Sequence, residues 1–193
     1  PVTVTTRWNG APETREEDRR FRVNGRFMYD VAYTDMDCAN NTCTGVNESG
    51  IRSYARRAFL GVEGRLTEQW RYNVKLDFAL GGSVRADDLY LEYAGQDWSF
   101  IAGNNNAVSP MEDRDSSLNI PFNERSFLIT SAGWGKRPGI AWITNGGNWS
   151  LGAALQSNDP LDTSDTAANG TEAYFFAGRA TWAPFYSQTP EGV

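Results

Sequence analysis

From residue 21 to residue 34 the chain alternates. Phe21, Val23, Gly25, Phe27, Tyr29, Val31 and Tyr33 share one parity, and Arg22, Asn24, Arg26, Met28, Asp30, Ala32 and Thr34 share the other. A sustained period of two predicts a β-strand with one apolar, aromatic face and one polar face. The pattern returns at Trp70, where Trp70, Tyr72, Val74, Leu76, Phe78 and Leu80 oppose Arg71, Asn73, Lys75, Asp77 and Ala79. Weaker alternation marks 54–65, 84–94, 97–103, 138–144, 148–156 and 172–183. About eight strands result, and no convincing helical periodicity competes with them.

The connections carry more information than the strands. In order they are 35–53 (long), 66–69, 81–83 and 95–96 (short), 104–137 (very long), 145–147 (short) and 157–171 (long and acidic). The long ones all hold odd places in that order, and every even place is a tight turn. Outer-membrane barrels put long loops outside and short turns on the periplasmic side. A soluble β-sandwich also alternates, but it has no reason to gather its long loops at one end. The segment 104–137 is too long for an idle hairpin loop. It is expected to fold inward and narrow a pore, with a short strand near 126–130.

Composition strengthens this picture. Seven Trp, eight Tyr and ten Phe sit in a chain that is only 40% hydrophobic, with a mean hydropathy of −0.53. Trp70, Phe78, Tyr93, Trp98, Trp149 and Trp182 fall near strand ends, which suits interfacial girdles. No apolar run reaches the roughly 18 residues a membrane helix needs, so a membrane role requires a closed barrel whose backbone bonds are all internal. The chain starts at Pro1 with no visible signal peptide, so either one was cleaved or the numbering begins inside the protein. The net charge of −6 argues against nucleic acid as a partner.

Catalytic chemistry finds no support. There is no His, no nucleophile elbow, no phosphate loop and no zinc-binding helix motif. Asp87 and Asp88 are strand neighbours, expected to face opposite sides. Cys38 and Cys43 predict a loop disulfide in an oxidising compartment, with free thiols as the alternative, and too few ligands exist for a metal. Asp159, Asp162 and Asp165 lack calcium-loop spacing and read as a solvated loop. No cofactor is expected.

Several stretches together resemble the phosphate-selective porin family (porins O and P). They are Phe21-Arg22-Val23-Asn24-Gly25-Arg26, Tyr54-Ala55-Arg56-Arg57-Ala58, Trp70-Arg71-Tyr72, Asp87-Asp88-Leu89-Tyr90-Leu91-Glu92-Tyr93, Ser116-Ser117 followed by Glu124-Arg125, and Gly178-Arg179-Ala180-Thr181-Trp182-Ala183-Pro184. The resemblance implies an all-β fold, an antiparallel transmembrane β-barrel of sixteen strands in the bacterial outer membrane. It also implies a homotrimer, an arginine-lined lumen and small anions, phosphate or polyphosphate among them, as solutes. Outer-membrane lipid and lipopolysaccharide would surround it.

On this reading residues 1–19 form an N-terminal periplasmic segment. Residues 20–193 form the first half of the porin domain, with 104–137 as the constriction loop. The half is inferred from the strand count and from 188–193, which lacks an amphipathic last strand ending in an aromatic residue. A complete small eight-stranded barrel plugged by side chains is the alternative.

Anion passage needs fixed positive charge where water is scarce, and Arg presents a planar, permanently charged fork. By alternation Arg22, Arg26, Arg71 and Lys75 face the lumen. Arg57 shares its face with Glu63 and Arg65, and Arg179 opposes the aromatic face of the last strand. The resemblance places Arg26, Arg56 and Arg57 on the arginine ladder, while the pattern alone leaves Arg56 open. A water-facing wall also carries charge for solvation alone. Asp30, Glu63, Asp77, Asp88 and Glu92 share the inward faces, five acids against seven bases once Arg65 is counted.

Asp87 is retained near a position the family uses at its constriction. The matching loop stretch, Met111-Glu112-Asp113-Arg114-Asp115-Ser116-Ser117-Leu118, has no Lys, and Arg114 is its lone base. This departure counts against strict phosphate specificity. A general porin, one for another solute, and a surface structural or interaction barrel all stay open.

Overall fold

The computed structural model describes residues 5–8, 11–34, 50–80, 83–122, 125–132, 135–157 and 174–185. Among the described residues ten strands form one sheet, each paired antiparallel with the next in sequence. They are β1 (Thr5–Trp8), β2 (Pro12–Glu16), β3 (Arg19–Thr34), β4 (Gly50–Arg65), β5 (Trp70–Leu80), β6 (Ser83–Ala94), β7 (Trp98–Asn105), β8 (Arg137–Asn145), β9 (Trp149–Ser157) and β10 (Tyr174–Trp182). The eight expected strands are β3 to β10. A short hairpin, β1 and β2, adds two more within 1–19, too brief for alternation to reveal. The sheet of described strands is open, with β1 and β10 at its edges.

The parity read from the sequence decides the two faces. Phe27, Tyr29, Val31 and Tyr33 of β3 are all more than half exposed, and Trp98, Phe100, Ile140, Trp142, Leu151 and Leu155 of later strands lie on the same open face. Among the described residues the buried hydrophobic cluster holds nothing larger than Ile: Ile101, Ala107, Val108, Ala141, Ile143, Ala154 and Ala177. A chain this rich in rings that leaves them outside is built for an apolar surrounding. No described helix is long and apolar enough to cross a membrane.

Rings collect at the short-turn end. Trp70 packs edge-on against Tyr93 at 5.1 Å, Tyr93 lies 5.5 Å from Trp98, and Trp149 pairs with Trp182 across β9 and β10. Two of the turns share one design. The amide of Gly95 donates to Trp98 O, and that of Gly146 to Trp149 O, both at 2.8 Å. Each indole then lies on its glycine, so that a Cβ would sit 2.5 Å from the Trp98 ring or 2.2 Å from Trp149 Nε1. Only glycine fits there.

The long connection between β7 and β8 holds two short helices, α1 (Met111–Arg114) and α2 (Phe127–Ala132). α2 replaces the strand expected near 126–130. Among the described residues no strand lies beside it as a sheet partner, and local helical hydrogen bonds satisfy the backbone instead.

The first residues of this loop lie on the wall of β7 to β10. Ala107 and Val108 fill the space left by Ala141, Gly152, Ala154 and Ala177. Gln156, only 1% exposed, donates to Asn105 O at 2.9 Å and Arg137 O at 3.2 Å. Arg179 donates to Ser109 O at 2.9 Å. Small wall residues are thus what lets the loop enter. Ala154→Trp should overpack this contact by about 1–3 kcal/mol and push the loop off the wall. The expected outcome in planar bilayers is a larger single-channel conductance with the sheet intact by circular dichroism; an unchanged conductance would refute the docking role.

Candidate functional site

A cleft of about 910 Å³ opens on the polar face of the sheet and is closed on one side by the loop. Arg26 of β3, Arg57 and Phe59 of β4, Lys75 of β5, and Asp87 and Asp88 of β6 line the wall. Asp113, Arg114, Asp115 and Arg125 of the loop, together with Lys136, line the rest. The charged ends of Arg26 and Lys75 both lie over the Phe59 ring, 5.1 Å and 5.4 Å from its centre. A ring face stabilises each cation without neutralising it.

Two one-residue bulges shape the charge on this wall. Met28 pairs with Arg57 and Tyr29 with Ala55, which leaves Arg56 as an extra residue in β4. A bulge turns two successive side chains to one side. Arg56 Nε donates to Asp30 at 2.6 Å, and Arg57 Nη1 reaches Met28 Sδ at 3.7 Å. Asp30 and Met28 share a face of β3, so both arginines project to the polar side. The question that alternation left open for Arg56 is resolved by this bulge.

The second bulge corrects an expectation. Lys75 pairs with Asp88 and Leu76 with Ala86, so Asp87 is extra in β6. Asp87 and Asp88 therefore face the same way, not opposite ways. Both bind Lys75 and Lys136: Asp87 lies 2.9 Å from Lys75 and 2.8 Å from Lys136, and Asp88 lies 2.7 Å from Lys136 and contacts Lys75. The bulge also frees backbone carbonyls, and the side-chain amide of Asn104 caps them, donating to Ala86 O at 3.1 Å and Asp87 O at 3.0 Å.

Comparison with known families decides what carries this wall. Residues 21–193 match the phosphate-selective porin O and P family. The chain belongs to that family. It is a porin of the bacterial outer membrane, with the β-barrel architecture of its family, and not an enzyme. No curated protein matches the chain.

The porin's wall acids are largely engaged. Glu63 accepts from Asn24 at 3.0 Å and lies 3.6 Å from Arg22. Glu92 lies 3.8 Å from Arg71, and Asp30 pairs with Arg56. Asp77 accepts from the Ala58 and Ala79 amides at 3.2 and 3.0 Å. Arg26, Arg57, Arg114, Arg125 and Arg179 form no ion pair among the described residues.

Of the residues singled out from the sequence, Arg26, Arg57, Arg71, Lys75, Asp87 and Arg114 come together in the cleft. Arg22 and Arg56 lie on the same face in cross-strand pairs, and Arg179 serves the loop's docking. Cys38, Cys43, Asp159, Asp162 and Asp165 fall outside the described residues. Two cleft residues escaped the sequence reading. Lys136 precedes β8 and shows no strand parity; only its proximity in space to Asp87 identifies it. Arg125 was seen as part of a family stretch, but nothing in the spacing showed its use.

The loop ties itself together. Arg125 donates to Glu112 O at 2.9 Å, Asp113 O at 3.2 Å and Asp115 O at 2.8 Å, covering the end of α1. Cations suit that end, where carbonyls lack helical partners. Glu112 accepts from the Ser126 amide at 2.5 Å and its hydroxyl at 2.7 Å. Those bonds hold the Glu112 carboxyl below its usual range. Burial pushes the Arg114 guanidinium down from its ordinary value, though an arginine stays charged throughout.

Lys136→Met leaves two largely buried carboxylates sharing Lys75. It should cost up to about 3 kcal/mol in urea unfolding from detergent and raise cation permeability; unchanged stability and selectivity would remove Lys136 from the site. For Glu112 the folded-state value is the lower one, so its contribution is complete above the ordinary carboxylate range and is lost as pH falls through the lowered value. Conductance should hold steady from neutral into mild acid and change only below the ordinary glutamate range. Glu112→Gln should abolish that acid transition.

Proposed function

We propose that this porin passes small solutes by passive diffusion and prefers anions. The observation that carries the reading is Arg26 and Arg57 on the cleft wall, neither of which forms an ion pair among the described residues, while of the neighbouring acids only Asp77, held by two backbone amides, has no basic partner. Formal counting of wall charges suggests only a slight anion preference. The contacts favour a stronger one, because a paired acid and base cancel at distance while an unpaired guanidinium does not. Moderately strong, successive sites allow an ion to bind and still leave. Arg22, Arg56, Arg71, Lys75 and Arg179 contribute pairing or positioning around this pair, and Asp87 and Arg114 mark the narrow part. The working unit is a homotrimer in lipid and lipopolysaccharide, as the family resemblance implies.

A second reading, a channel without phosphate specificity, is favoured by one observation. Residues 111–118 supply carboxylates and no lysine to the cleft.

Reversal potentials across a bilayer under a potassium chloride gradient test the proposal. The full-length porin should be anion-selective, and Arg26→Ala with Arg57→Ala should lower the anion-to-cation permeability ratio severalfold. Cation selectivity of the unaltered protein would overturn it.

A further inference from the structure

The cleft presents unpaired charge of both signs on opposite sides. On the wall stand Arg26 and Arg57, with Asp77 the one acid there that has no basic partner among the described residues; on the loop stand Asp113 and Asp115. Neither loop carboxylate forms an ion pair among the described residues. Asp113 Oδ2 and Arg26 Nε are both buried without a hydrogen-bond partner. Among the described residues the ion pairs that join loop and wall run from Lys136 to Asp87 and Asp88, and none joins Asp113 or Asp115 to Arg26 or Arg57. The loop is not simply acidic, because Arg114 and Arg125 stand beside its two acids; Arg125, however, is directed at backbone carbonyls of the loop itself.

Such a cleft has unmet partners for a solute that carries both charges. A bare anion satisfies the wall and is repelled by Asp113 and Asp115; a bare cation meets the reverse. A zwitterion aligned across the cleft satisfies both sides, and its dipole is favoured by the field between them. We propose that the cleft is tuned to small zwitterions of the α-amino acid class, the carboxylate toward Arg26 and Arg57 and the ammonium toward Asp113 and Asp115.

The proposal rests on the porin reading and on the arginine wall that gives anion preference, and it refines the solute class. Liposome swelling with the full-length porin tests it. Glycine is compared with glycolamide, a neutral isomer of the same atoms, so that size cannot account for a difference. Glycine is expected to enter severalfold faster. Asp113→Asn with Asp115→Asn should remove that advantage while the reversal potential stays on the anion side, because the arginines are untouched. The two substitutions remove charge but no side-chain hydrogen bond among the described residues, so folding is expected to survive; heat-resistant migration on gels verifies it. Equal rates for the two isomers in an anion-selective channel would overturn the zwitterion proposal alone. A glycine advantage that survives both substitutions would overturn the role given to the loop acids. A cation-selective reversal potential would overturn the underlying reading instead.

Discussion

Each strand residue in this sheet is committed by parity to one of two opposed surroundings. Successive side chains point to opposite faces, one face being apolar and exposed, the other polar and lining a cleft. A one-residue slip would put the wall's arginines into lipid and the outward rings into water. That constraint explains why Phe27 and Tyr29 stand outside while Arg26 and Met28 stand inside, and why the buried apolar cluster holds nothing larger than Ile. It also limits how much charge a regular wall can hold, because only every second residue is available.

The two bulges relax the limit where charge is needed. At Arg56 and again at Asp87 an unpaired residue brings two consecutive charged side chains to the polar face. The cost of a broken ladder is met locally: Asn104 caps the carbonyls beside Asp87, and Asp30 holds Arg56. The acidic doublet then gathers two lysines. Lys136 comes from the loop and Lys75 from the wall, so the network joins the two sides of the cleft. Charge density and loop position are therefore set by one structural device.

The strands, their order and the outward rings were legible because alternation extends over whole elements and each residue adds to the same inference. The β1–β2 hairpin was not, since strands of four and five residues are too short to show a period. The bulges were hidden for a deeper reason. A bulge is a property of two strands in register, and parity within one strand cannot reveal a missing partner on the next. Hence Asp87 and Asp88 were expected on opposite faces and are found on one. The residues 127–132 look strand-like in composition, but among the described residues no strand pairs with them and they form a helix. Lys136 was invisible because its role depends on tertiary proximity alone.

The loop changes how the wall's charge should be understood. Counted along the sequence, 111–118 is a run of acids that would oppose an anion path. In space its three acids differ. Glu112 turns away to Ser126 and holds the loop's shape, whereas Asp113 and Asp115 line the cleft. Across from them, the wall's acids other than Asp77 are tied to Arg22, Arg56, Arg71, Lys75 and Lys136, and Asp77 is held by backbone amides alone, so two arginines against one carboxylate set the sign of that side. Selectivity in such a cleft depends less on the number of charges than on which of them already have partners. Fixed charges engaged within the protein shape the passage, and those left without partners act on the solute.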